Sequence, residues 1–168
     1  MDNVEYICNV LQKMDINYSV IKHKAIFSEN DTEEDLFEKN IVIGKNLFLR
    51  NEKKTKYYLF SLPLTKRANL LELAKLMDEK RFSFANENEL KEYLNITPGS
   101  VSYLNVITAE KDNIKYKDVT YIIDGELLKA HKIGFHPSDN TATIVTKSDT
   151  IEKVYNNYGV KYYIIDIQ

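Results

Sequence analysis

Apolar positions recur with helical spacing at Val4, Ile7, Cys8 and Leu11, which predicts an opening amphipathic helix that stops near Asn17. A short acidic helix is expected over Asp31–Lys39, with Leu36 and Phe37 turned inward. The pattern then changes. Asn46–Arg50 and Lys56–Leu62 read as strands, and the polar segment between them predicts a hairpin. Asn69 with Glu72, and Asn86 with Glu89, carry the spacing of N-terminal caps. They open a helix striped by Leu70, Leu73, Ala74 and Met77, and another running through Leu94. Tyr103–Thr108, Val119–Asp124 and Thr141–Thr146 are read as strands. A last helix, opened by Asp149 with Glu152, stops near Gly159, and a strand follows over Lys161–Ile167. Strands and helices mix without strict alternation. The expected fold is therefore α+β, with a strongly curved mixed sheet flanked by helices rather than a doubly wound one.

Composition narrows the class. A chain of 168 residues suits one domain, and its 43% hydrophobic and 29% charged residues are those of a folded chain. Cys8 stands alone, so an intramolecular disulfide and a cysteine-based metal site are both excluded. No apolar run approaches the roughly 20 residues needed to span a bilayer. The opening residues Met1–Glu5 lack a basic start and an apolar stretch, so a cytoplasmic location is expected. Net charge is −2, yet residues 45–81 hold ten basic against four acidic side chains. That window fits either a solvated surface or a face that meets phosphate.

Familiar catalytic signatures such as GxSxG, the Walker loop, GxGxxG and HExxH are absent. The spacing of His23, His131 and His136 matches no standard metal site. Two segments carry candidate chemistry. In Gly44-Lys45-Asn46-Leu47-Phe48-Leu49-Arg50 a lysine opens an apolar strand. There it is either a surface cation or a point charge held at a pocket rim. In Gly134-Phe135-His136-Pro137-Ser138-Asp139-Asn140-Thr141, glycine and proline shape the backbone beside a histidine. This is either a plain turn or a loop whose N–H groups meet a ligand oxygen. Thr97-Pro98-Gly99-Ser100 marks a further turn whose small residues would let a ligand approach the backbone.

Taken together and in order, four segments resemble the YbaK/ProX family of aminoacyl-tRNA editing domains. They are Lys45–Arg50, Phe82–Ala85, Thr97–Ser102, and Phe135-His136-Pro137 with Asn140, Thr141 and Thr143. The likeness runs from about Tyr18 to the C-terminus, and it is nearest to the ProX-type alanyl-tRNA(Pro) deacylases. It implies one editing domain over residues 1–168, with a partly barrel-like sheet. It implies hydrolysis of the ester that joins a wrong amino acid to the terminal adenosine, without metal or organic cofactor. The neighbouring ribose hydroxyl would help to activate water. Lys45, Gly134 and His136 would serve the reaction. Ile26, Phe27, Leu47, Ser100, Phe135, Pro137, Asn140 and Thr141 would meet the substrate. Lys45, Arg50 and Arg81 would contact tRNA. The implied partners are aminoacylated tRNA(Pro) and prolyl-tRNA synthetase, not membrane or DNA. The alternatives are a deacylase for Cys-tRNA(Pro) or another small aminoacyl-tRNA, and a non-catalytic tRNA- or synthetase-binding module. Two departures, Tyr103-Leu104 after Ser102 and the short spacing from Gly134 to Pro137, bear on which amino acid is preferred.

Overall fold

The structure, a computed structural model, describes residues 2–24, 41–139 and 141–167. The helix expected at Asp31–Lys39 lies outside the described residues, as do Ile26, Phe27 and Asn140. Asp2 caps α1 (Asn3–Lys13) by accepting from the Glu5 amide. The helix ends earlier than expected, because Asp15 turns the chain at φ 56°. β1 (Ser19–Lys22) follows, then β2 (Ile41–Asn51) and β3 (Tyr57–Pro63), which form the expected hairpin. Asn69 caps α2 (Leu70–Leu76). β4 (Phe82–Phe84) leads to α3 (Glu87–Leu94), where Asn86 and Glu89 form a full capping box. Next come α4 (Asn105–Lys111), β5 (Val119–Asp124), α5 (Gly125–Lys129), β6 (Lys132–Phe135) and β7 (Ala142–Lys147). The chain closes with α6 (Thr150–Tyr158) and β8 (Tyr162–Ile165). α6 ends on left-handed Gly159 as expected. Asp149 makes no side-chain cap and instead pairs with Lys153 at 3.2 Å.

Two expectations are corrected. The run Tyr103–Thr108 is no strand: residues 105–108 belong to helix α4. A segment buried on every side shows a continuous apolar run whatever its period, so its pattern cannot separate helix from strand. Packing against α1, α3 and α6 decides the matter, and it outweighs the modest helix penalty of β-branched Val106, Ile107 and Thr108. Gly134 and Phe135 are not in a loop either. They end β6, and the turn begins only at His136.

The strand order is β1-β7-β6-β2-β3-β5-β8, with β4 attached to β2. Both directions occur: β2 pairs β6 in parallel and β3 antiparallel. Alternation along β3 feeds two cores. Tyr57 and Leu59 face α1, α3, α4 and α6, while Tyr58, Phe60 and Leu62 face α2. β3 is therefore buried along its whole length.

β2 is the strand that positions the site. One edge runs beside β3 from Gly44 to Arg50. The other edge is shared: Ile41–Ile43 pair with β6, and Leu49–Asn51 pair with β4. Between those pairings, no described strand lies against residues 45–47 on that edge. The sheet splits there.

Candidate active site

A cavity of about 250 Å³ opens at the split. Ile43, Gly44, Lys45, Asn46 and Leu47 of β2 form one wall. Gly134, Phe135 and His136 form another, and Leu64, Gly99, Val101, Thr143 and His23 close the remainder. The volume falls below the roughly 300–1,000 Å³ of drug-sized pockets, which suits a small side chain.

Backbone polarity follows from alternation. The Ile43 carbonyl accepts from the Leu64 amide at 2.8 Å, toward β3. The Phe48 carbonyl accepts from the Ala85 amide at 2.9 Å, toward β4. Asn46 shares its side of the strand with Phe48, so its N–H and C=O lie on the split edge. Such groups can receive a polar ligand without disturbing the sheet.

Two asparagines brace the walls. Asn46 accepts from the Ser61 hydroxyl at 2.5 Å and donates to the Val101 carbonyl at 3.3 Å, tying the 97–102 loop to β2. Fully buried Asn105 accepts from the Ser102 amide at 2.6 Å and donates to the Ser100 carbonyl at 3.1 Å. Its amide nitrogen also lies 2.6 Å from the Ser138 hydroxyl, which sits in the turn after His136. Ser138 adopts φ 59°, a conformation that costs free energy unless its surroundings hold it. Asn105→Leu leaves a buried amide, a carbonyl and a hydroxyl without their partner. We expect a loss of about 2–4 kcal/mol of stability. Urea unfolding within about 0.5 kcal/mol of wild type would show that the network contributes little.

Gly44 has a specific reason to lack a side chain. A Cβ there would lie 2.0 Å from Cζ of Phe135, so the ring packs directly on the strand backbone. Phe135 is in turn wedged edge-on against Tyr103, at 5.0 Å and 88°. Tyr103, one of the residues that departs from the family pattern, thus backs the cavity wall from the core.

The histidines divide their roles. His23 Nδ1 lies 2.6 Å from the Lys24 carbonyl, which can only accept, so Nδ1 carries a proton. In the neutral ring Nε2 is then the acceptor, 2.7 Å from the Thr143 hydroxyl. His136 Nδ1 is sealed from solvent, and no described residue bonds to it. Burial pushes His136 down to about 4, nearby His23 adds to the fall, and Asp139 offsets part of it. His136 is therefore neutral at physiological pH. A histidine with a depressed folded pKa contributes stability that is complete above its unfolded value of about 6.5. That contribution is lost as pH falls toward 4. His136→Gln should flatten the pH dependence of unfolding between pH 6.5 and 4. An unchanged slope would exclude His136 as its source.

The remaining candidates are placed as follows. Lys45, Leu47, Phe135, His136 and Gly134 meet at the cavity. Ser100 is beside it and contributes its carbonyl to Asn105, while its neighbours Gly99 and Val101 form the wall. Pro137 is buried behind the wall. Thr141 is exposed and donates through its amide and hydroxyl to Asp139, at 2.9 and 2.6 Å. Arg50 projects to the sheet face opposite Lys45. There it pairs with Glu89 at 2.6 Å and donates to Ser83 at 3.2 Å. Burial alone would raise the Glu89 carboxyl. The Asn86 amide, the Tyr57 hydroxyl and Arg50 outweigh it and hold the group below its ordinary value. Arg81 is exposed at the start of β4. Asn105 and His23 carried no motif signal, since their partners are remote in sequence.

An aminoacyl-tRNA editing domain model matches residues 31–154, about three quarters of the chain. The chain belongs to the aminoacyl-tRNA editing domain family. Membership sets its reaction class, that of an aminoacyl-tRNA deacylase. Among relatives of this editing domain, the prolyl-tRNA editing protein ProX of Acetoanaerobium sticklandii is 29% identical over 167 residues, covering 99% of each chain. A human prolyl-tRNA synthetase associated domain-containing protein is 28% identical over 133 residues, covering 77% of this chain and 75% of its own. A crystal structure described as a candidate trans-editing enzyme for prolyl-tRNA synthetase superposes with a TM-score of 0.72. It covers 100% of this chain and 99% of its own at 14% identity, which establishes the fold. Among the described residues of the editing domain, no helix is long and apolar enough to cross a membrane.

Proposed function

We propose that this chain acts in trans on mischarged tRNA(Pro), hydrolysing the ester of a small amino acid, with alanine the principal substrate. The observation that carries this reading is the small cavity between Lys45 and the Phe135–His136 wall. Its apolar lining by Ile43, Leu47 and Phe135 accommodates a methyl group. The family membership and the printed name of the ProX relative support the substrate class.

In this reading, Lys45 is the cation that stabilises the oxyanion formed when water attacks the ester carbonyl. The exposed polar edge at Asn46 orients the aminoacyl group. Neutral His136 contributes a hydrogen-bonding wall rather than a charge. An aminoacyl ester is activated enough that positioning and electrostatics suffice. The activity answers a real need, since a synthetase pocket built for a larger side chain discriminates poorly against a smaller one. The basic window around Lys45 and exposed Arg81 supplies phosphate contacts. Prolyl-tRNA synthetase is the natural partner of such an activity.

Matched Ala-, Cys-, Ser- and Pro-tRNA(Pro) provide the test. Rapid loss of alanine, slower loss of the others and sparing of proline are expected. Preferential release of cysteine would reassign the amino acid. Tight tRNA binding without hydrolysis of any would replace the enzyme with a binding module.

A further inference from the structure

β4 carries two phenylalanines on one face. Phe82 is buried against Tyr58, ring centroids 4.7 Å apart. Phe84, two residues on, remains 58% exposed. Its register partner across the ladder is Leu49, which is fully buried on that same face. Following that face along β2 leads through Leu47 to Lys45, both in the cavity wall. An exposed ring therefore stands on one surface with Lys45, about 13 Å away at strand spacing.

The carrier of this ring is fixed. Ser83 accepts from Arg50, and the Ala85 amide donates to Phe48, so β4 is clamped on both sides of Phe84. Lys80 and Arg81, both exposed, stand immediately before the strand. A rigid aromatic face beside exposed cations, on one surface with a pocket, is the combination that holds single-stranded nucleic acid.

We propose that Phe84 is a stacking platform for an unpaired base at the 3′ end of the tRNA whose ester reaches Lys45. The inference rests on the deacylase reading. A single-stranded terminus that crosses this face would bring its ester to the cavity. The ring would receive a base by its π-face without selecting its identity.

The test combines kinetics with fluorescence. Phe84→Ala should raise KM for Ala-tRNA(Pro) by roughly five- to hundredfold while leaving kcat and the unfolding midpoint near wild type. Phe84→Trp should retain the wild-type KM. The chain contains no tryptophan, so the introduced indole is a lone reporter. Its emission should be quenched on titration with deacylated tRNA(Pro), and much less with tRNA lacking its 3′-terminal nucleotides. An unchanged KM in Phe84→Ala overturns the assignment, as does a fall in kcat at constant KM or an indole blind to the 3′ end. Failure of the wild-type protein to deacylate any tRNA would instead remove the proposed reaction, and the titration would still decide the platform.

Discussion

Replacing Lys45 with alanine should lower single-turnover hydrolysis of Ala-tRNA(Pro) by about 10²–10³-fold, the usual cost of one oxyanion-stabilising group. Lys45 is half-buried in the cavity wall, and its register partner is Leu62. Its backbone is held by the β2–β3 ladder, which the substitution leaves intact. The unfolding midpoint should therefore move little while the rate collapses. Lys45→Arg should rescue poorly. A guanidinium is a planar fork rather than a compact charge, and it would take up much of a 250 Å³ cavity. A rate for Lys45→Ala within threefold of wild type would remove this residue from the chemistry.

Gly44→Ala should give the second largest effect, through shape rather than charge. The added methyl would sit 2.0 Å from Cζ of Phe135 and 2.5 and 2.6 Å from its Cε atoms. The ring cannot retreat easily. It is 1% exposed and backed by Tyr103, which itself packs edge-on against Tyr155 at 6.2 Å. Overpacking of this kind costs about 1–3 kcal/mol. Displacement of a wall by about 1 Å can cost on the order of 10²-fold in rate. Phe135→Leu in the same chain should restore part of the stability, a coupling that a double-mutant cycle measures. Gly134→Ala should be milder. Its Cβ would meet Cδ1 of Ile43 at 2.8 Å, the flexible end of a side chain. A Gly44→Ala protein as stable and active as wild type would show that the ring moves freely.

How far the site could be read in advance varies residue by residue. Lys45 is legible as a lysine beside an apolar run, but β2 begins at Ile41, so the residue stands mid-strand rather than at its head, and Leu47 is marked only by the family resemblance. His136 was visible beside Pro137, but its burial was not. His23 carried no signal. It reaches Thr143 only because β1 lies against β7, where Ile21 pairs with Thr143. Asn105 was hidden inside a run read as a strand. Its amide became meaningful only when α4 placed it beneath two loops. Arg50 was legible as a cation, but its pairing with Glu89 depended on α3 packing beside β2.

By itself the sequence determined those features whose partners lie within a few residues. The caps at Asn69 and Asn86, the turn that joins β2 to β3, and the stop at Gly159 all close over a few residues of chain. The tertiary structure alone decided the helical state of α4, the split edge of β2 and the packing of Phe135 on Gly44. Each of these depends on groups brought together across tens of residues. Burial, hydrogen-bond satisfaction and steric fit act on such groups only after the chain has folded.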